Sequence, residues 1–358
     1  MSSTPAPWAA DTPTLLQNTL GHIARGWVTP GTGADIPLDI LDGTVSFDEG
    51  RTPRVTANLT CAIPDRTLVD QIDPRLSGRR VVVQVGYRRP DGTEDVNQLA
   101  DLMLRGRVLS YPNNTMRLTA ASDEAKLLDD APSNGGSVST TGAKAAIAAV
   151  FTAASLPATI TDTTGDATAF SISPLGDKWD AVEDITDQIN ADFYGTGAAD
   201  TYALAPVPVL GTVAHTISTG NGGTITDADH TLDRDGWFNR IYLEHLWRDA
   251  AGADQRVVYI KDATGPYAPT AGNRRTLHVT RNTPTNGTKI AAAATSLSKR
   301  AVTRGRSVPL TAIAAYWLRP GDTVATTLPN VDPERHLLAS VDFRLADGLM
   351  DITTRLPE

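Results

Sequence analysis

The stretch 309–357 constrains the fold most. Val308, Leu310 and Ile313 lead through Tyr316, Trp317 and Leu318 into Arg319-Pro320-Gly321-Asp322, and Thr323 and Val324 follow. Pro-Gly suits the two central positions of a type II turn, because proline pre-sets a negative φ and glycine accepts the positive one. After Leu328-Pro329-Asn330 a second apolar run, 336–345, reaches Asp347-Gly348 and returns through 349–356. Asp-Gly between apolar runs is a strong hairpin signal. The pattern predicts two hairpins in succession, the closing strands of a β-barrel or sandwich.

Upstream, Val55, Ala57, Leu59, Cys61 and Ile63 alternate with Thr56, Asn58, Thr60 and Ala62. Period two is the signature of a half-buried strand. A partner strand spans 38–47, and further strands are expected at 22–28, 81–87, 101–109 and 116–120. A short helix is expected at 124–128. The texture changes at Pro132-Ser133-Asn134-Gly135-Gly136, a linker-like run. Ile147, Val150, Phe151 and Ala154 then mark a helix over 144–156. Trp179, Val182, Ile185, Ile189 and Phe193 mark the strongest one, within 174–194, with Asp180, Glu183, Asp184 and Asp187 on its other face. The acids sit early, where the helix dipole favours them. A strand is expected at 202–206. After an acidic run come strands at 237–247, 255–261 and 275–280, then an alanine-rich helix at 288–299 whose small side chains allow close packing. The fold class expected is mainly β with an α+β insert: an arm (1–20), a β block (21–130), an α/β insert (131–232) and a second β block (233–358). No residue-level repeat links the two β blocks.

The 358 residues suffice for two or three domains. No apolar run is long enough to span a bilayer. Residues 1–11 lack the basic start and apolar centre of a signal peptide, so they are expected to form a loose arm. On that reading the N-x-S/T triplets at Asn58, Asn113 and Asn286 are chance matches. The single cysteine, Cys61, excludes an intrachain disulfide and reads as a buried small hydrophobe. A net charge of -9 argues against a sequence-reading nucleic-acid binder but not against a surface that repels nucleic acid.

Four stretches in this order carry a resemblance. They are Phe47-Asp48-Glu49-Gly50-Arg51-Thr52-Pro53-Arg54-Val55; Lys178-Trp179-Asp180-Ala181-Val182 with Asp192-Phe193-Tyr194-Gly195; Arg234-Asp235-Gly236-Trp237-Phe238-Asn239-Arg240-Ile241; and the alanine-rich helix with Leu318-Arg319-Pro320-Gly321-Asp322 and Thr353-Thr354-Arg355-Leu356-Pro357. From residue 40 onward the chain resembles the tail hub proteins of bacteriophages, minor tail proteins at the tail tip related to the baseplate hub of contractile tails. The resemblance implies two tail-tube-like β-barrels, each with a flanking helix, separated by the small α/β region. It implies a homotrimer whose six barrels ring a lumen through which phage DNA passes. It also implies a place in the virion at the tail tip after assembly in the host cytoplasm. The neighbours implied are a tube or distal tail protein above and a fibre or plug below, with no stable membrane insertion.

No catalytic or cofactor-binding residue is assigned, and no cofactor is expected. Asp227, Asp229, Asp233 and Asp235, with His230 among them, offer oxygens to Ca²⁺ but lack the bidentate Glu of an EF-hand, so a solvated acidic loop is the competing reading. His215 and His230 match no metal-ligand spacing and are expected to be exposed. No nucleophile elbow or paired-carboxylate pattern stands out. Gly220-Asn221-Gly222-Gly223 lacks the Lys-Ser/Thr of a phosphate loop. Trp179, Trp237, Trp247 and Trp317 suggest either core packing or a sugar-stacking platform. A structural hub is the leading reading, a carbohydrate-binding adhesin the alternative, and a cell-wall hydrolase the third.

Overall fold

The computed structural model describes residues 8–9, 12–16, 21–31, 33–130, 138–172, 178–220, 222–228, 231–232, 237–248, 252–281, 287–303, 306–329 and 333–355. After the single turn α1 (Thr12–Leu15) come β1 (Gly21–Thr29), β2 (Ile36–Leu38), β3 (Ile40–Asp48), β4 (Val55–Ala62), α2 (Arg66–Val69), β5 (Arg80–Arg88), β6 (Glu94–Ser110), β7 (Thr115–Ala121) and α3 (Glu124–Asp129). The alternation in β4 is realised: Val55, Ala57, Leu59 and Cys61 are buried, while Thr56, Asn58 and Thr60 point the other way.

The middle of the chain holds β8 (Val138–Thr141), α4 (Ala143–Ala153), β9 (Thr159–Asp162), β10 (Ala169–Ile172), α5 (Lys178–Ile189), β11 (Ala191–Gly195) and β12 (Thr201–Pro206). Sheets β11-β12-β9 and β10-β8 form here. The apolar stripes of both helices meet in one core: Ile147, Val150 and Phe151 against Trp179, Val182, Ile185, Phe193 and Tyr202. Then follow β13 (Val213–Ser218), β14 (Ile225–Ala228), β15 (Thr231–Leu232), β16 (Arg240–Arg248), β17 (Asp254–Asp262), β18 (Thr276–Arg281), α6 (Gly287–Thr303), β19 (Arg306–Ile313), β20 (Thr323–Thr327), β21 (Glu334–Arg344) and β22 (Leu349–Arg355).

The two ends of the chain build one fourteen-stranded sheet. Its main path is β14-β19-β22-β21-β3-β4-β7-β6-β5-β1-β2, and β13, β15 and β20 attach beside it. The seam is β21 against β3, antiparallel, from Ser340 opposite Asp48 to Arg344 opposite Thr44. One continuous core lies behind it, with Val45, Phe47, Leu59 and Leu118 from the first segment and Leu310, Tyr316, Val341 and Phe343 from the last. Phe47 and Phe343 meet edge to face across the seam, centroids 6.1 Å apart.

This differs from two closed barrels. Among the described residues no barrel closes, and the pairing is that of large, mainly antiparallel sheets. The cause is local: β20 pairs with β21 only from Glu334 to Leu337, and the remainder of that edge takes β3. An unpaired edge is a template for another strand. β2 and β3 are separated by Asp39 alone, so the chain itself leads from the free end of the path back to its middle. β13 to β15 pair with β19 and β20 in the large sheet. β16 to β18 form a sheet of their own, and α6 packs there rather than on the large sheet, around Ile241, Leu243, Ile290 and Ala294.

The closing hairpins also differ in part. Asp347-Gly348 joins β21 to β22 as its residues predict, and Gly348 takes φ 70°. A Cβ there would come 2.7 Å from His22 Cβ, so glycine is required twice over. The Pro320-Gly321 turn forms, with Gly321 at φ 93°, but it does not join paired strands. β19 pairs with β22 and β14, and β20 pairs with β21 and β13. Tyr316, Trp317 and Leu318 form no strand because they are buried in the core as a connecting segment. The arm is not loose where it is described: Trp8 lies 5.4 Å from the Tyr87 ring and 6.2 Å from that of Tyr316, bridging the two segments. The Ala9 amide and the Thr12 hydroxyl both donate to Asp95 Oδ2, at 3.1 and 2.7 Å.

Candidate functional site: the bare sheet face and its junction

Cross-strand register sets side chains in rows, and rows on the face away from the core run through the seam. One row is Thr311, Asp351, Asp342, Ser46 and Thr56. The next is Arg344, Thr44, Asn58 and Thr119. A third is Asp42, Thr60, Arg117 and Val108. None of these residues is buried. The Thr311 hydroxyl donates to Asp351 Oδ1 at 2.6 Å, and Arg344 is occupied by Asp347. Apart from Val108 at one end, the face is hydrophilic: mostly hydroxyls and an amide, with the carboxylates of Asp42, Asp342 and Asp351 and the guanidinium groups of Arg117 and Arg344. Such a surface stays wet, because burying it strands hydroxyls and carboxylates.

Beside the seam, three segments are locked together. Glu124 at the start of α3 is 1% exposed, and its Oε1 accepts from the amides of Gly195 (2.7 Å) and Arg54 (3.3 Å). A Cβ on Gly195 would lie 2.5 Å from Glu124 Oε2, so this approach needs glycine. The Arg54 guanidinium lies 3.8 Å over the Tyr194 ring, a cation–π contact. Asp123 accepts from Arg80 (3.0 Å), Lys126 (3.0 Å) and the Asp200 amide (2.7 Å). Burial alone would raise its carboxyl. The Arg80 bond, that amide and the two positive charges together hold it below the usual carboxylate range. Glu49 pairs with Arg355 at 2.5 Å, yet burial outweighs the pairing and pushes its carboxyl up. Arg319 packs 4.3 Å over Phe47 and donates to the Tyr316 and Leu318 carbonyls, and burial takes it down to about 10. The cluster fixes the insert hairpin β11–β12 to the large sheet. Sequence reading missed this role for Arg54, Glu124 and Gly195. Arg54 and Gly195 both lie in the stretches that carry the resemblance, but nothing in the residue order pairs either with Glu124.

The sequence candidates do not converge. Asp227 is exposed on β14, and its Oδ1 accepts the Ala228 amide at 2.9 Å. Asp229, Asp233, Asp235 and His230 lie outside the described residues. Among the described residues no three His, Cys, Asp or Glu are grouped to hold a metal ion. His215, expected to be exposed, is buried edge-on against Trp317, and burial lowers it to about 4, so the ring is neutral. Cys61 is fully buried, which pushes its thiol up to about 12. Gly220 to Gly223 closes a turn before β14, not before a helix. The tryptophans share no platform: Trp179 is in the insert core, Trp317 in the main core, and Trp237 meets Tyr267 edge-on. Among the described residues no helix is long and apolar enough to cross a membrane.

No protein-family profile matches the chain, and no curated protein does. Solved structures do. A 43 kDa tail protein of prophage MuSo2 from Shewanella oneidensis superposes with a TM-score of 0.67 at 14% identity, over 93% of this chain and 98% of that one. A tail protein from Neisseria meningitidis MC58 gives 0.65 at 14% identity, over 93% and 96%. Prophage tail protein gp18 from Listeria monocytogenes EGD-e gives 0.56 at 10% identity, over 92% and 94%. Over 92–93% of its length, the chain has the fold of these phage tail proteins.

Proposed function

We propose that this chain is a structural hub of a phage tail tip and not an enzyme. Three copies form a ring that continues the tail tube and joins it to a fibre, plug or host-recognition device. Each copy brings two tube-like curls to the ring: β1 to β7, and β13 to β15 with β19 to β22. The working domains are the arm, these two curls, the α/β insert (138–206) and the unit 237–303. Other tail proteins bind above and below, and the protein resides in the virion after assembly in the host cytoplasm.

One observation supports this reading most: the β3–β21 seam, which runs the two curls into a single wall with a bare, hydrophilic face. A wall built this way suits a lumen. Its two arginines stand in separate rows, Arg344 is paired with Asp347, and Asp42, Asp342 and Asp351 repel phosphate, so DNA meets no cationic row to bind and a genome slides past. Mass photometry of the purified chain, alone and with tube protein, tests the proposal. A particle of three times the chain mass is expected; a stable monomer in both conditions overturns it.

A further inference from the structure

Residues 237–303 make a unit closed on itself. Among the described residues the sheet β17-β16-β18 shares no strand with the other sheets. Ile241, Leu243, Leu277 and Val279 pack with Ile290 and Ala294 of α6, and no residue of this core belongs to either of the other two cores. The opposite face of the sheet, with Leu246, Val258 and Ile260, is exposed. Its arginines are neutralised on the sheet itself: Arg240 by Asp262, Arg248 by Asp254 and Arg256 by Glu244. The chain enters and leaves this unit side by side. Thr231 and Leu232 of β15 pair with Ser307 and Arg306 of β19, antiparallel. Within the unit the Phe238 amide donates to the Ala301 carbonyl at 3.2 Å. Both sides of the crossing are thus tied, and two adjacent passes of chain between tied points are the geometry of a hinge.

The contact that holds the unit against the insert is polar. The apolar stripe of α5, with Trp179, Val182 and Ile185, is taken up by the insert core, and that of α6 by the unit's own. The two helices meet through what is left of their surfaces. There α5 carries Asp180, Glu183, Asp184 and Asp187, and Arg281 at the end of β18 pairs with Asp187. The Asp187 side chain is 43% exposed, so salt screens this pair. Residues 237–303 hold ten Lys and Arg against four Asp and Glu, whereas residues 138–206 hold two lysines, no arginine and nine acids. Unit and insert therefore attract one another beyond the single contact. An interface built on charge, without an apolar core of its own, leaves two bodies free to move.

We propose that residues 237–303 are a hinged module. The β15–β19 ladder is its stalk, and the attraction between Arg281 and the acidic stripe of α5 is its latch. The closed position sets Arg281 on Asp187. Screening or reversing that charge lets the module swing off α5 while all three cores stay folded. The proposal goes beyond the hub reading and holds whether or not the chain assembles. The full-length chain is tested with spin labels at Val209→Cys and Tyr267→Cys, both exposed positions, by double electron–electron resonance at low and high salt. Val209 precedes β13 of the large sheet and Tyr267 lies in the unit, so the distance between them reports the hinge. Cys61 is fully buried and stays unlabelled. At low salt one distance is expected to dominate. High salt, or Arg281→Glu at low salt, is expected to raise a second distance several-fold, and adding Asp187→Lys to Arg281→Glu is expected to restore the first. The circular dichroism spectrum is expected to stay that of the wild type throughout. A single distance that neither salt nor Arg281→Glu alters overturns the hinge and leaves the hub reading standing. A second distance that appears only as strand signal is lost also overturns it, because the unit then unfolds and does not swing.

Discussion

The large sheet and the small sheet solve one problem in opposite ways. Each buries one face in a core and leaves the other bare. On the large sheet the bare face is mostly Thr, Ser, Asn and Asp with two Arg; on the small one Tyr, Leu, Val and Ile stand among paired polar groups. Water covers the first at no cost. The second keeps apolar surface in water at a cost of ~25 cal/mol per Å². The difference teaches that two sheets with equally buried inner faces can present very different outer ones, and only the hydrophilic one is stable in water without further cover.

The contrast can be broken at its strongest point first. Phe343 is fully buried at the seam, so Phe343→Ala is expected to cost ~3–5 kcal/mol in urea unfolding. A loss under ~1 kcal/mol would mean the two segments do not share a core. Gly195→Ala pushes a methyl group against the Glu124 carboxylate and is expected to cost ~1–3 kcal/mol, measured the same way. Asp184→Asn probes the acidic stripe. The Asp184 pKa is raised to about 6 when folded, so its favourable contribution is complete below the unfolded carboxylate range and is lost as pH rises through about 6. The Asn variant should therefore melt higher than wild type at about pH 8 and converge with it at about pH 4. An unchanged melting profile would remove the burial argument. Smallest of all, Ile260→Ala on the small sheet should change the stability of the chain by no more than ~0.5 kcal/mol, because its side chain is half exposed. A large loss there would show that the face is already packed within one copy.

Much of this architecture is legible in residue order. The period-two run of β4, the Asp347-Gly348 hairpin and the stripe Trp179, Val182 and Ile185 each depend on neighbours a few positions away, and each is found as read. What was not legible depends on distant partners. Nothing near Val45 or Phe343 announces that β3 and β21 pair, and nothing in β13 announces a parallel partner in β20. The Pro320-Gly321 turn misled because turn chemistry is local, whereas the burial of Tyr316 and Trp317 beside Trp8 and Tyr87 is not. The lock around Glu124 was hidden for the same reason: a carboxylate in a polar stretch reads as exposed until the Gly195 amide is seen to cap it.

Density of the purified assembly, resolved well enough to orient the large sheet, tests the central claim most directly. The account predicts a shared hole lined in every copy by Thr44, Ser46, Asn58 and Asp342. An assembly that turns these residues outward, or that encloses no hole, contradicts it.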